Sequence, residues 1–510
     1  MFEGWLSIIV FLPAAAALII ALFLRNDSQI RWFAIGATVL NLVLIVITYA
    51  DFDRGAGGVQ MVDRYEDWIP VDGLRSQYLL GIDGLSAPLV LLTGLLTAVA
   101  AFASWRITLR VREYFIWLLV LETSVLGVFL ALDFLLFFIF WEIELIPMFM
   151  LISIWGSGRN RYSAMKFVIF TLGGSAFMLI GILALFLSSG VDTFAMISIP
   201  SEGIDGIPGK MVDADLLIPA GAIWFLLFAA FAVKMPLWPV HSWLPDAHTD
   251  APTAVSIMLA GVLLKMGGYG LIRVSVGMFK DTPEGDFQVQ DVAWLLATLA
   301  VVSIIYGAIV TLRQTDLKRL VAFSSVSHMG FVVLGVSSIV GVGGTATDAG
   351  LNGAALQMVT HGTITGLMFL TVGLVYDRAH TRHIPDLGGL ALRWPLITIS
   401  MVIAGLASLG LPGLSGFVAE ITVFLGTYEV WPWLTVIGAF GVVLAAGYVL
   451  WMMQRTFFGP KHERFQDAED ANFVDMIPVV ALVVSIVAIG VYPKIITEVF
   501  KVGISELMRI

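Results

Sequence analysis

Cysteine is absent from all 510 residues of the sequence. Iron–sulfur clusters ligated by this chain, thiolate metal sites and disulfides are therefore excluded. Charge is scarce as well. Only 13% of residues are Asp, Glu, Lys or Arg, and no dense Lys/Arg block occurs, which sets nucleic-acid binding aside. The net charge of −10 comes mainly from acidic loops such as the one between Asp51 and Asp72. Gly-rich stretches such as the one between Gly341 and Gly344 lack the strand and helix context of a nucleotide fingerprint, so NAD and flavin sites are not expected here. The first apolar run, from Trp5 to Leu24, has no basic flank and no small-residue cleavage signature, and it reads as a retained span rather than a cleaved signal.

What the sequence has in abundance is apolar residues. They make up 59% of the chain, and the mean hydropathy is +0.93. Many apolar runs exceed the roughly 18 residues that mark a membrane helix. The fold class is thus an all-α polytopic membrane protein. Breaking the runs at charged or Gly/Pro-rich loops gives about fourteen spans. They begin near Trp5, Trp32, Asp83, Glu113, Asp133, Tyr162, Pro219, Ala251, Val292, Leu320, Leu351, Pro395, Trp431 and Asp475. Connections after odd-numbered spans carry most of the Lys and Arg, so the positive-inside rule puts both termini outside the cytoplasm. The two longest hydrophilic stretches, Asp51–Ile82 and Ser189–Ile218, then lie on the outer side.

Two spans carry helix breakers at corresponding places. The seventh contains Lys234-Met235-Pro236-Leu237-Trp238-Pro239, and the twelfth contains Gly410-Leu411-Pro412-Gly413. A proline removes a backbone hydrogen bond to the carbonyl four residues back, which predicts free carbonyls at Ala232 and Ser408. The pairing suggests two units of five spans, spans 4–8 and 9–13. Because five is odd, the second unit inserts upside down relative to the first, the inverted-repeat pattern of ion-coupled transporters. The chain then divides into 1–112 (spans 1–3), 113–280 (first repeat), 281–458 (second repeat) and 459–510 (span 14).

Six ionisable residues sit near the middle of otherwise apolar spans: Glu144, Lys234, Lys265, His328, His361 and Glu420. A charge at that depth costs about 2.5–3.5 kcal/mol on insertion scales, so each needs a partner, water or a function. Six spans carrying them at similar depth describe a polar line parallel to the bilayer, as an ion or proton path requires. Lys265 lies about fourteen residues into its span, some 20 Å along a helix, too deep to snorkel to the headgroups. Proton handling by the two lysines is preferred to a purely structural ion pair. Glu142 and Glu144 are separated by about 200° around a helix and cannot both face one seam; Glu144 is assigned to the interior.

Blander readings compete at several positions. Glu122 in span 4 is either a relay group or a helix–helix hydrogen-bond acceptor. His328 and His361 can each donate on one side of the ring and accept on the other, or be satisfied interior histidines. Haem ligation would need more paired mid-span histidines than these two. His241 and His248 flank the stretch from Trp243 to Ala247, between the broken seventh span and the eighth and near Asp246 and Asp250; proton uptake or relay is preferred there to a metal site, because their spacing is not a specific ligand pattern. No metal is expected. Asp250-Ala251-Pro252 reads as an N-cap with proline in the first turn of span 8. His380 and His383 read as solvated loop residues.

The stretch Trp141-Glu142-Ile143-Glu144-Leu145-Ile146-Pro147, with Lys234-Met235-Pro236-Leu237-Trp238-Pro239-Val240-His241-Ser242-Trp243-Leu244-Pro245-Asp246-Ala247-His248, resembles the antiporter-like subunits of respiratory complex I and of multisubunit cation/proton antiporters. Ala251-Pro252-Thr253-Ala254-Val255-Ser256 and Leu264-Lys265-Met266-Gly267-Gly268-Tyr269-Gly270 continue the match, which covers nearly the whole chain. One departure is informative. Sister subunits usually place a lysine in the broken twelfth helix, whereas here it is Glu420; this favours a complex I (NADH-quinone oxidoreductase) branch over a sodium/proton antiporter or membrane-bound hydrogenase.

The resemblance implies a proton-translocating subunit with no redox centre of its own, driven by quinone reduction elsewhere. NADH, FMN, iron–sulfur clusters and quinone belong to other subunits. Further membrane subunits, with chains L and N as neighbours, and the lipid of a bacterial cytoplasmic membrane are the implied partners. It also implies roles: a Glu144–Lys234 pair in one half-channel, Lys265 as central connection, His328 and His361 as links, and Glu420 as the terminal group facing the second half-channel.

Overall fold

A computed structural model describes residues 3–509 apart from 67, 70, 72–74, 189, 192, 212–214, 281–286, 341–344, 461–464 and 466–467. The glycine-rich stretch 341–344 therefore lies outside the described residues, as does the boundary proposed between the repeats. Eleven of the described helices are long and apolar enough to cross a bilayer, and three shorter apolar helices, Ala87–Ala103, Ala220–Lys234 and Pro395–Ser408, complete the set of spans.

In chain order span 1 is Trp5–Phe23, span 2 Asp27–Asp51, span 3 Ala87–Ala103 and span 4 Val111–Leu130. Span 5 is two helices, Phe134–Ile143 and Leu145–Trp155, that meet at Glu144. Span 6 is Asn160–Phe186. Span 7 is broken into Ala220–Lys234 and the short Trp243–Asp250. Span 8 covers Thr253–Val276, span 9 Ala293–Leu312, span 10 Leu317–Val336 and span 11 Thr345–Ala379. Span 12 is broken into Pro395–Ser408 and Ser415–Tyr428, and Pro432–Thr456 and Phe473–Val491 are spans 13 and 14.

At spans 2 and 10, capping explains why the start differs from the hydropathy reading. Span 2 begins before Trp32 because the Asn26 side chain accepts from the amides of Ser28 and Gln29, and span 10 begins before Leu320 because Asp316 accepts from the Arg319 amide. Span 14 opens on a capping box of Asn472 and Asp475. Asp250 is a correction: span 8 starts after Pro252 with no side-chain cap. Asp250 instead ends the second half of span 7 and accepts a 2.6 Å hydrogen bond from Ser163 Oγ. Ala232 is another. Its carbonyl is taken by the Leu237 amide at 3.0 Å, in a wider turn that closes over the proline break.

The chain is not wholly α. An antiparallel hairpin, β1 (Gln60–Tyr65) with β2 (Tyr78–Ile82), occupies the connection between spans 2 and 3, with Asp63 opposite Leu80. Asp63 reaches back to accept from the Gly4 amide at 2.9 Å and the Ser7 amide at 2.7 Å, securing the start of span 1. The Leu132 amide bonds the Leu79 carbonyl and the Met196 amide bonds the Leu132 carbonyl, so the two long hydrophilic connections join over span 5. After span 14 the structure adds an amphipathic helix, Lys494–Arg509, absent from the sequence reading. Ile496, Val499, Phe500, Ile504 and Leu507 are buried beneath it, whereas Lys494, Glu498 and Lys501 face outward.

Lipid exposure separates the spans. Every residue in the apolar windows of spans 8, 10 and 11 is buried, against 28% in span 14. These three enclosed helices carry Lys265, His328 and His361. Among the described residues, span 8 alone contains two π-helical turns, Leu259–Leu263 and Leu271–Val276, a local widening that frequently marks functional sites. Gly267 on this span meets the break of span 7: a Cβ there would lie 2.7 Å from the Phe231 carbonyl oxygen and 2.8 Å from the Met235 nitrogen. Both are backbone atoms and cannot swing aside. Gly267→Ala is expected to cost about 1–3 kcal/mol by overpacking, read as a lower melting temperature of the detergent-purified protein.

Candidate functional site

Lys234 is the last residue of the first half of span 7, where the unpaired carbonyls of a helix C-terminus favour a cation. Glu144 occupies the junction in span 5, three residues before Pro147, which has no amide to offer the Ile143 carbonyl. The two breaks bring the Lys234 Nζ onto Glu144 Oε1 in an ion pair. Lys234 is 1% and Glu144 0% exposed. The ammonium also lies 5.2 Å from the Trp141 ring and 5.7 Å from the Phe167 ring. Glu142 is half-buried, as expected if the two glutamates face different seams.

A second group of ionisable residues forms at the centre of spans 8, 10, 11 and 12. Lys265 follows the first π-helical turn, and its Nζ bonds the Ala260 carbonyl within that turn. It also lies 2.8 Å from His361 Nδ1. The His361 and His328 rings are 5.6 Å apart between centroids. His328 Nδ1 is 3.6 Å from Glu420 Oε1, and its Nε2 is 3.2 Å from Ser408 Oγ and 3.4 Å from the Tyr448 hydroxyl. His328, His361, Gln357, Ser408 and Glu420 surround a cavity of about 10 Å³, close to the least space a water molecule needs. Among the described residues, His361 Nε2 and Gln357 Oε1 have no hydrogen-bond partner. Gly410, at φ +77°, lets Glu420 lean against the broken backbone: a Cβ there would come within 2.6 Å of Glu420 Oε2.

The structure thus assembles the six mid-span residues in two sets, Glu144–Lys234 and Lys265–His361–His328–Glu420. Among the described residues no direct hydrogen bond or ion pair joins Lys234 to Lys265; the spans carrying them meet at Gly267. Glu122 is fully buried but accepts from Asn41 Nδ2 at 2.9 Å, which ties it to span 2. His241 packs edge-on to Tyr306, 5.0 Å between centroids. His248 is fully buried, stacks on Phe369 at 4.7 Å, and has both ring nitrogens without a hydrogen bond. Pro236, Pro239 and Pro412 all lie in the two breaks. His383 is exposed and pairs with Asp386.

Sequence reasoning missed Tyr448, Ser408 and Gln357, because a mid-span hydroxyl or amide is common in membrane helices and nothing local sets these three apart. It also missed two buried cations near span ends. Lys318 is 4% exposed and donates to the Ala251 carbonyl. Arg273 is 3% exposed and paired with Asp83.

Residues 131–445 match a family described as NADH:quinone oxidoreductase/Mrp antiporter, TM. Among curated relatives, NADH-quinone oxidoreductase subunit M of Rhodobacter capsulatus is 39% identical over 516 residues, covering 99% of this chain and 97% of the relative. NAD(P)H-quinone oxidoreductase chain 4 of Gloeobacter violaceus is 38% identical over 517 residues, with 99% and 93% covered. Among solved structures, a chain of respiratory complex I from Thermus thermophilus with bound NADH superposes with a TM-score of 0.84 at 28% identity, covering 99% of both chains. A chain of the Mrp complex from Dietzia sp. gives 0.80 at 20% identity, with 99% and 97% covered, a likeness of fold.

The Glu144–Lys234 pair has a measurable energetic signature. Glu144→Ala leaves an unpaired ammonium in a dry site and should destabilise the protein by about 3–5 kcal/mol, whereas Glu144→Leu with Lys234→Met, which removes both charges at similar volume, should cost far less. Thermal unfolding of the two variants in detergent checks the difference.

Proposed function

The chain belongs to the antiporter-like membrane subunits of the NADH:quinone oxidoreductase/Mrp family, and from that premise we propose that it is a proton-translocating subunit of a complex I-type NADH-quinone oxidoreductase. The observation that carries the reading is the contact series Lys265–His361–His328–Glu420 inside the enclosed spans, with the separate Glu144–Lys234 pair at the neighbouring helix break. Glu420 favours complex I over a multisubunit Na⁺/H⁺ antiporter or membrane-bound hydrogenase, for which the likeness to the Mrp chain supports only the fold.

In this proposal the Glu144–Lys234 pair is the switch. While Glu144 touches Lys234, attraction holds the ammonium charged; at an effective dielectric near 20, a pair at 4 Å is worth about 4 kcal/mol. Separating the pair withdraws that stabilisation and drives a proton towards Lys265. Lys265 donates to His361 Nδ1, so the neutral imidazole carries its proton on Nε2, the atom free of protein hydrogen bonds. Proton release there reaches His328, and from His328 Nδ1 the Glu420 carboxylate, the terminal group of the second half-channel. Units 113–280 and 281–458 supply one half-channel each. Ser408 and Tyr448 orient the His328 ring from its other nitrogen. His241, His248, Glu122 and Glu142 are left as candidates for uptake or relay.

Redox chemistry is assigned to other subunits: the chain has no cysteine to hold an iron–sulfur cluster, and NADH, FMN and quinone are placed elsewhere. Chains L and N are the proposed neighbours, in a bacterial cytoplasmic membrane with both termini on the periplasmic side. The deciding experiment is NADH-driven proton pumping and NADH-quinone reductase activity in membranes carrying Glu144→Gln, with assembly verified. Loss of both activities in an intact complex is expected. Full activity would remove Glu144 from the mechanism and transfer its role to Glu122 or Glu142.

A further inference from the structure

Away from the axis, Arg273 and Asp83 form another deeply buried ion pair, with Arg273 3% and Asp83 6% exposed. Arg273 lies on the second π-helical turn of span 8. Asp83 is held before span 3, where its Oδ1 accepts from the amides of Leu85 at 3.0 Å and Ser86 at 2.9 Å. Arg273 Nε also donates to the Tyr269 hydroxyl at 3.3 Å, and the guanidinium carbon lies 5.3 Å from the Tyr269 ring centre. Lys265, Tyr269 and Arg273 follow one another at four-residue steps, each about 6 Å along the helix. They therefore run up one side of span 8 from the bundle centre towards one membrane face.

At the end of that line lies a cavity of about 420 Å³, with room for on the order of ten waters. Asp83 and Arg273 line it together with Ser198, Ser201 and Glu506 of the C-terminal helix. Its walls come from the two long connections that the distribution of lysine and arginine assigns to the outer side. That cavity, roomy enough for water, comes within about two helical turns of Lys265 along span 8. A tyrosine hydroxyl both donates and accepts and can pass a proton; a guanidinium has five donors, no acceptor, and keeps its charge. Arg273 stands between the cavity and the Tyr269 hydroxyl, which also donates to the Phe129 carbonyl at 3.4 Å, and it is the group at the cavity end of the line that cannot relay.

We propose that Arg273, clamped by Asp83 and Tyr269, is the barrier that insulates the central Lys265 from the outer-side water cavity, so that the first half-channel does not leak to the outside. The inference rests on the reading of Lys265 as part of a proton path. Its physics is that of pores in which a fixed arginine excludes protons: a desolvated positive charge repels an incoming hydronium, and its chemistry breaks the relay. Asp83 keeps the guanidinium in place without itself bridging to Tyr269.

Arg273→Lys separates a barrier from a brace. Lysine keeps the positive charge that Asp83 needs, yet it can release its proton. With the whole complex reconstituted in liposomes, passive proton flux under an imposed pH gradient is followed without NADH. The expected result is an assembled complex that still reduces quinone with NADH but whose passive flux is several-fold faster than wild type. Wild-type flux overturns the proposal. If Arg273→Lys does not assemble, Arg273→Gln with Asp83→Asn carries the same test, since it removes both charges and restores a group that can accept; faster flux supports the barrier and unchanged flux overturns it. Failure of the parent reading would show separately, as NADH-driven pumping indifferent to Glu144→Gln.

Discussion

Among the described residues Lys265 has no carboxylate beside it at the centre of the bundle, and much of the surrounding architecture answers that one constraint. A lone ammonium in a dry interior needs acceptors. The π-helical turn before it brings the Ala260 carbonyl within reach, and the Nδ1 of His361 takes a second hydrogen bond. Both acceptors depend on spans 8, 10 and 11 being enclosed on all sides, since exposure of any of them to lipid would remove the packing that holds the rings. That contact engages Nδ1 and leaves Nε2 without a hydrogen bond among the described residues.

Charge placement elsewhere follows from interruptions of helices. Span 5 breaks at Glu144, span 7 at Lys234, and span 12 just before the segment bearing Glu420. At each break a proline denies a backbone hydrogen bond, and an ionisable side chain sits at or near the new helix end. The Ala232 carbonyl shows that breaks need not leave polar backbone open: a wider turn satisfies it. The interruptions place side chains, and glycines such as Gly267 and Gly410 allow the close approach that this geometry requires.

The end of the bundle that carries the two long connections is organised by a different rule. The β-hairpin, the 196–201 segment and the amphipathic C-terminal helix surround a cavity that reaches the Asp83–Arg273 pair. The same span, 8, therefore carries a buried lysine and, two turns away, a buried arginine. Burial is similar at both positions; the difference lies in the chemistry of the cation and in its partner.

The class of the protein, its fourteen spans and the two proline breaks are legible in the sequence because hydropathy and helix breakers act locally: lipid selects length and composition span by span, and a proline disrupts its own turn whatever surrounds it. The six mid-span ionisable residues stand out for the same reason, since a charge in an apolar run is conspicuous without knowledge of its neighbours. Which of them touch is not local. His361 lies 96 residues from Lys265 and Glu144 lies 90 from Lys234, and those contacts exist only once helices pack. Glu122 looks as conspicuous as Glu144 in sequence, yet packing gives it Asn41 rather than a lysine. Tyr448, Ser408 and Arg273 matter by what they face, and the amphipathic C-terminal helix by what it covers. A side chain's neighbours across the bundle are set by packing, and only the tertiary structure decided them.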